Sequence, residues 1–250
     1  MSTGDSANKV ANTPAVAAGN QKLAPVPFRW LDFDAYLFDI DGTLLNSRDG
    51  VHYYAFRNAL RALFGLEGTI DGVPVHGNTD PGILRAVLER AGIAGAEFER
   101  RLPEITRHMC AEVRRNAADL RVELCPSIRE LLELLHQRGK LLGVVSGNLE
   151  SIGWAKLEAA GLRRYFSFGS FSDERELREQ IFRHGIQEAR QRLGEQASVC
   201  LVGDTPSDIA AARAVKTPII SVATGIFKRD QLAALDPELC VSCCSELVQC

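Results

Sequence analysis

Three short apolar segments of this 250-residue sequence each run directly into a cluster of polar residues. The clusters are DIDGT at 39–43, SGN at 146–148 and GDTPSD at 203–208. The first and third bring two carboxylates each, and carboxylates crowded at one point repel each other strongly unless a cation lies between them. Mg²⁺ favours a few carboxylates together with water and a substrate phosphate. The pattern therefore predicts a magnesium site, with the candidate acids Asp39, Asp41, Asp204 and Asp208.

The segments that position these clusters have the pattern of buried strands. Each is a run of four or five mostly apolar residues without polar alternation, which is typical of strands covered on both faces in a parallel sheet. The predicted strands are 35–38, 141–145, 199–202 and 218–222. Amphipathic helical patterns lie between them, so we expect an α/β fold with a doubly wound parallel sheet. Ligands of such sheets bind at the carboxyl ends of the strands, where all three clusters fall.

Residues 46–125, referred to below as the insert, interrupt this alternation. They contain only helical patterns, and a segment of this length can form a small domain. We therefore expect an all-helical domain inserted into an α/β core made of residues 28–45 and 126–250. The helical patterns are the stripe Phe56, Leu60, Leu63 and Phe64, the stripe Ile83, Leu84, Val87 and Leu88, and a long charged segment over 97–116.

Composition excludes several classes of protein. Hydrophobic residues make up 46% and charged residues 24%, and the net charge of −3 argues against a strongly basic nucleic-acid binder. No apolar run approaches the roughly 20 residues of a membrane-spanning helix. Residues 1–27 are small and polar, lack the pattern of a secretory signal, and are expected to form a flexible tail.

The cysteine pattern favours a reducing compartment. Seven cysteines, an odd number mostly within apolar segments, do not resemble a disulfide framework, so we expect a cytoplasmic protein. A group of four cysteines near the C-terminus raises the alternative of a zinc site, but no histidine or second CxxC pair lies nearby in the sequence. We interpret residues 239–243 as a last, partly buried strand instead. The group consists of Cys240, Cys243, Cys244 and Cys250.

The pattern DxDGTL at 39–44, followed by Ser146 and GDTPSD at 203–208, resembles the haloacid dehalogenase superfamily in its phosphatase branch. The resemblance covers about residues 30–235, and the insert matches the position of that family's C1-type helical cap. It implies a Rossmann-like core and a Mg²⁺-dependent phosphatase. The expected substrate is a small phosphorylated metabolite, such as a phosphoglycolate-like monoester, hydrolysed through an aspartyl-phosphate.

The resemblance also implies roles for the acids. Asp39 would be the nucleophile that attacks phosphorus. Mg²⁺ would be held by Asp39, the backbone carbonyl of Asp41 and Asp204, with Asp208 acting through water or by orienting a ligand. Asp41 would protonate the leaving oxygen and then act as general base on the hydrolytic water. Asp208 and Ser207 are also candidates to cap a helix over 208–215.

Phosphate and substrate contacts are expected from small residues beside the acids. Ser146 would donate a hydrogen bond to a phosphoryl oxygen, helped by backbone N–H groups around Gly42 and Gly147. Thr79 and Asp80 belong to a turn that faces the active site in related phosphatases, although either could simply cap the helix that starts near Pro81. The candidate substrate-binding residues are Gly42, Thr43, Thr79, Asp80, Ser146, Gly147 and Asn148.

The cationic side chain of this family is harder to place. It is most often a lysine in a KPxP context, and no such motif occurs between Ser146 and Gly203. Arg175 is the preferred candidate because a guanidinium can contact a phosphoryl oxygen and a carboxylate at once. Lys156, on the helix after Ser146, is the alternative. Either could instead be a solvated charge on a helix.

Three other functions remain open at this stage. Dehalogenases of the same superfamily lack the second aspartate, so Asp41 argues against that reaction. A phosphomutase would keep Asp41 but must retain its phosphoenzyme until a sugar phosphate returns. A non-catalytic protein that binds a phosphorylated ligand would be favoured if a key acid were missing, yet all four are present. The sequence leaves the substrate and the oligomeric state undetermined.

Overall fold

A parallel six-stranded sheet lies at the centre of the computed structural model, which describes Met1 and residues 28–67 and 70–249. The predicted tail therefore falls outside the described residues, apart from Met1. The strand order is β5-β4-β1-β6-β7-β8. The strands are β1 (Ala35–Phe38), β4 (Leu141–Val145), β5 (Phe168–Ser170), β6 (Val199–Gly203), β7 (Ile219–Val222) and β8 (Leu239–Val241), while β2 (Leu45–Ser47) and β3 (Val122–Leu124) pair elsewhere.

Helices cover both faces of this sheet. They are α1 (Val51–Phe64), α2 (Asp80–Arg90), α3 (Gly95–Arg115), α4 (Ile128–Gln137), α5 (Glu150–Ala159), α6 (Arg178–Leu193), α7 (Pro206–Ala214), α8 (Arg229–Ala233) and α9 (Ser245–Val248). Alternate residues of β1 enter different cores: Tyr36 and Phe38 pack with α4, whereas Ala35 and Leu37 pack with α6 and α7. This two-sided burial explains the unbroken apolar runs. The doubly wound α/β fold is confirmed.

The predicted strands agree with the structure to within one or two residues, and one strand of the central sheet was missed. β5 pairs with β4 in parallel, but it has only three residues and Gly169 at its centre. Such a short segment does not display a strand pattern. The predicted C-terminal strand is present as β8, with Cys240 half-buried in it and Cys244 buried behind it.

The insert contains α1, α2 and α3, which share an apolar cluster centred on Phe56, Leu84 and Phe98. It is not entirely helical, because β2 and β3 pair as a short antiparallel ribbon where the chain leaves and re-enters the core. The two three-residue strands pair although they lie far apart in the sequence. No local alternation of apolar and polar residues predicts them. Leu149 and Ile152 of the core also contact the cluster. No helix in the described ranges is long and apolar enough to cross a membrane.

Candidate active site

The three polar clusters meet at one edge of the sheet. β1 lies between β4 and β6, so the residues that directly follow these strands, namely Asp39, Ser146 and Asp204, are neighbours in space. They line a cavity of about 380 Å³ between the sheet and the insert. The cavity is thus at the carboxyl ends of the strands, where ligands of open α/β sheets bind.

Three acids form a buried cluster at the floor of this cavity. Carboxylate oxygens of Asp39, Asp204 and Asp208 all lie within 4.8 Å of one another, and each residue is at most 4% exposed. Burial is the main cause that raises the pKa of Asp39 and of Asp204, against the opposing charge of Arg178. The charge of Asp208 adds to both shifts, that of Asp41 adds to the shift of Asp39, and that of Asp39 adds to the shift of Asp204. Such a group is unfavourable without a cation, so the cluster could hold a divalent metal ion.

The three acids differ in how much of their coordinating capacity is free. Asp208 accepts from Arg178 through Oδ1 and from the backbone and hydroxyl of Thr205 through Oδ2. Among the described residues, the side chain of Asp204 accepts only at Oδ1, from Thr43 at 3.0 Å. Asp39 and Asp204 are therefore the better placed to contact a metal ion directly, with Asp208 behind them. Two direct carboxylate ligands, with water at the remaining positions, are typical of a divalent cation such as Mg²⁺.

The cationic side chain beside Asp39 is Arg178, which the sequence analysis did not select. Its Nε donates to Asp208 Oδ1 at 2.6 Å, and its Nη2 lies 2.8 Å from Asp39 Oδ2. Nη2 makes no hydrogen bond of acceptable geometry within the described part of the chain. Burial opposes the charge of Arg178, but Asp208 and Asp39 outweigh it and raise its pKa. Arg178 is thus a fixed cation with an N–H left for a ligand.

Arg175, the preferred candidate from the sequence, does not line the cavity. Its backbone N–H donates to Ser172 in the turn before α6. Its side chain lies near His184, whose pKa is lowered first by burial and then by the charge of Arg175. Arg178 opens α6 three residues later, and that helix start is the signal that could have separated the two arginines.

Lys156, the alternative candidate, is in the site and contacts Asp41. Its Nζ, on a side chain only 3% exposed, donates to both carboxylate oxygens of Asp41 at 2.9 and 2.8 Å. Asn148 donates to Asp41 at 2.8 Å and accepts from Lys156 at 2.8 Å. Burial raises the pKa of Asp41, but Lys156 and Asn148 outweigh it and the net shift is downward. Asn148 also donates to the hydroxyl of Ser146.

Gly42 allows the two acid-bearing loops to approach each other. It has a φ of +87°, and a Cβ at this position would lie 2.2 Å from Asp204 Oδ2. Gly225 is equally close, with a Cβ position 1.8 Å from the same atom. Any side chain at either position would displace Asp204. The neighbouring Thr43 is fully buried and does not line the cavity, because its hydroxyl is donated to Asp204 instead of facing a substrate.

Thr79 and Asp80 connect the insert to the core. Thr79 caps α2, as one interpretation of the sequence proposed, by accepting from Gly82 N at 3.1 Å. It does not line the cavity. Asp80 does, and its Oδ2 accepts from Leu149 N at 2.8 Å while its own N–H donates to Gly147 O at 2.8 Å.

One expectation near the strand ends, the start of the helix after β6, differs from the structure. α7 begins at Pro206 rather than at Asp208, and its cap is Thr205, which forms a reciprocal capping box with Asp208. Gly147 lines the cavity, and a Cβ there would meet the carbonyl oxygen of Asn78 at 2.3 Å. The small size of Gly147 therefore lets the insert approach the core.

Comparison with known proteins gives one family. A model of haloacid dehalogenase-like hydrolases matches residues 33–216. The chain is 30% identical over 222 residues to a phosphoglycolate phosphatase of Synechococcus elongatus, covering 86% of this chain and 95% of that protein. It is also 30% identical to the "Probable phosphatase IndB" of Dickeya dadantii, covering 85% of this chain and 90% of that protein.

A solved structure supports the fold. CbbY from Rhodobacter sphaeroides, crystallised in complex with phosphate, matches with a TM-score of 0.67 over 86% of this chain and 96% of its own. The two sequences are 19% identical, so the match concerns the fold alone.

Proposed function

The chain belongs to the haloacid dehalogenase-like hydrolase family, and we propose that it is a Mg²⁺-dependent phosphatase acting on the monoester of a small phosphorylated metabolite. One observation carries the proposal: Asp39 lies in a buried acid cluster with Arg178 beside it, while Asp41 is held separately by Lys156. Hydrolysis in two steps needs a nucleophile and a separate acid in different surroundings. Asp39 and Asp41 would fill these two roles.

In the first step Asp39 attacks phosphorus and forms an aspartyl-phosphate. Attack by a carboxylate on an anionic phosphate is opposed by charge repulsion. When bound to Asp39 and Asp204, Mg²⁺ would neutralise part of this charge. The free N–H of Arg178 Nη2 and the hydroxyl of Ser146 are placed to donate to the phosphoryl oxygens.

Asp41 serves the proton transfers. In the first step it takes up the proton that a singly protonated phosphate monoester brings and passes this proton to the leaving oxygen, and its carboxylate then takes a proton from the water that hydrolyses the aspartyl-phosphate. The side chain of Asp41 is 42% exposed to the cavity, so water and a leaving oxygen can reach it. Lys156 and Asn148 fix its orientation through three hydrogen bonds.

The proposal is tested by hydrolysis of p-nitrophenyl phosphate and a panel of phosphorylated metabolites, with and without Mg²⁺. We expect EDTA to abolish turnover and Mg²⁺ to restore it. Asp204→Asn should raise the Mg²⁺ concentration for half-maximal rate by at least about tenfold, since even outer ligands cost 10- to 100-fold. Asp236→Asn, on an exposed residue, is the matched control and should behave like the wild type.

The same assay separates the alternatives. Turnover that needs no metal ion would contradict the proposed mechanism. A single stoichiometric release of p-nitrophenol, followed by turnover only when a sugar phosphate is added, would indicate a phosphomutase. Binding of phosphorylated compounds without release of phosphate from any of them would indicate a non-catalytic protein.

Replacing Lys156 by methionine should slow hydrolysis in a way that depends on the leaving group. Without Lys156, Asp41 loses two of its three hydrogen bonds and its fixed orientation. We expect kcat for alkyl phosphates, whose alkoxide needs a proton, to fall on the order of 10²-fold. Hydrolysis of p-nitrophenyl phosphate should fall much less, because p-nitrophenolate can leave unprotonated.

Steady-state kinetics on both esters measure this difference. Lys228→Met, which removes an exposed lysine, is the matched control and should change neither rate. An equal loss with both leaving groups would show that Lys156 does not act through Asp41.

A further inference from the structure

The wall of the cavity opposite the acids belongs to the insert and combines an apolar patch with polar side chains. Phe56 and Ile83 are 2% and 5% exposed, and Tyr53, Ile70 and Val75 are half-buried beside them. A phosphoryl group seated on Asp39 directs its ester oxygen away from the acid cluster, toward this wall. The wall therefore receives the alcohol part of the substrate.

The charges around the cavity do not favour a second anionic group. Five carboxylates line it: Asp39, Asp41, Asp49, Asp80 and Asp204. The lysine and arginine side chains that line it within the described ranges are Lys156 and Arg178. Both point to the acid end, where Lys156 is bound by Asp41 and Arg178 by Asp39 and Asp208. The insert thus contributes no lysine or arginine to its own wall in that part of the chain.

Two histidines also line this part of the cavity. His52 Nε2 lies 3.2 Å from Asp80 Oδ2, and the ring stacks on Phe56 with centroids 5.0 Å apart. His76 is on the exposed rim. Among the neutral polar groups of the wall, Ser47 Oγ is buried and has no hydrogen-bond partner in the described part of the chain.

We infer that the alcohol part of the substrate is uncharged and mainly apolar, so that the substrate has no acidic group besides its phosphate. This inference rests on the proposed function and narrows it. A buried carboxylate without a counter-ion is strongly unfavourable, and here it would also face Asp80 and Asp49. An apolar chain or ring gains about 25 cal/mol for each Å² it buries against Phe56 and Ile83.

The inference separates this protein from what its relatives' names suggest. The Synechococcus relative is named for phosphoglycolate, whose alcohol part carries a carboxylate close to the ester oxygen. That carboxylate would lie at the apolar wall, where no lysine or arginine of the described residues receives it. The volume of about 380 Å³ leaves room for a short aliphatic chain or a single ring, with one hydroxyl in reach of Ser47.

Matched pairs of esters test the inference on the wild-type protein with Mg²⁺. The pairs are 2-phosphoglycolate with propyl phosphate, and 4-carboxybenzyl phosphate with 4-methylbenzyl phosphate. We expect kcat/KM to be at least about tenfold higher for the uncharged member of each pair, mainly through KM. Equal or higher kcat/KM for the carboxylates would overturn the inference and leave the phosphatase proposal intact. Hydrolysis of p-nitrophenyl phosphate but of none of the four esters would also overturn the inference, whereas no hydrolysis of p-nitrophenyl phosphate, the metabolite panel or the four esters would remove the phosphatase proposal itself.

A cation placed on the wall should reverse the preference. Val75→Lys and Ile83→Lys each introduce an ammonium group at the cavity, and Val75→Met and Ile83→Met are the controls of similar length. We expect the lysine variants to shift the kcat/KM ratio toward the carboxylate esters by about tenfold relative to the methionine variants. Circular dichroism verifies that each variant is folded, and Val75, being half-buried, tolerates the longer side chain more easily. A folded lysine variant with an unchanged ratio would count against the inference.

Discussion

Asp39→Asn is expected to abolish hydrolysis, with a fall in kcat on the order of 10⁴-fold or more. Asparagine has nearly the shape of aspartate but cannot form the acyl-phosphate. The change also removes one of three crowded carboxylates, so the metal-free variant should not unfold at a lower temperature than the wild type. Loss of activity without loss of stability would show that Asp39 serves catalysis rather than folding, and trapping of the intermediate distinguishes a nucleophile from a metal ligand.

Acid-quench trapping of the phosphorylated protein measures the intermediate directly. With p-nitrophenyl phosphate the wild type should incorporate phosphate on Asp39, and Asp39→Asn should incorporate none. Asp41→Asn is the informative comparison, because it retains the nucleophile but lacks the base for the second step. It should accumulate the phosphorylated form. Labelling of Asp39→Asn would refute the assignment of the nucleophile.

The position of the site at the sheet edge could be predicted because its determinants are local. Asp39, Ser146 and Asp204 each follow the last residue of an apolar run, and a parallel sheet brings the ends of its strands to one side. What the sequence does not give is the order of those strands. The adjacency of β4, β1 and β6 decides that these three residues are close enough to act together.

The contacts of the cations could not be predicted, because they join segments that are far apart in the sequence. Lys156 reaches Asp41 across 115 positions. Because Lys156 is a lysine on the helix that follows Ser146, the sequence indicated a cation near the phosphate. It did not indicate which acid this lysine would contact. Arg175 and Arg178 stand three residues apart, and only the start of α6 between them directs one into the cavity and the other toward His184.

The short elements were missed for a different reason. β2, β3 and β5 have three residues each, too few to establish a periodic pattern. Their strand conformation comes from the neighbour that each one pairs with, as β5 does with β4. Tertiary pairing therefore decides their structure.

Removal of the positive charge of Arg178 should affect both activity and stability. Arg178→Met leaves Asp39 and Asp208 without the guanidinium that now contacts both. We expect kcat/KM to fall roughly 10²- to 10³-fold, as for the loss of one donor to a developing anion. The metal-free protein should lose about 3–5 kcal/mol of unfolding free energy, since one partner of a buried ion pair is removed.

Arg175→Met and Arg178→Lys make this prediction specific. Arg175 lies outside the cavity, so its replacement should change kcat/KM less than about twofold, within the usual effect of a surface substitution. Arg178→Lys keeps the charge, but a single ammonium does not reproduce the guanidinium fork that reaches two carboxylates, and the kcat/KM of this variant should fall between those of the wild type and Arg178→Met.

Mg²⁺ should recover part of the stability lost in Arg178→Met, because a dication at Asp39 and Asp204 offsets the same repulsion, but it should not recover activity. If Arg175→Met caused the larger loss of activity, the cation in contact with the phosphoryl group would be Arg175, and the geometry around Asp39 would have been misinterpreted.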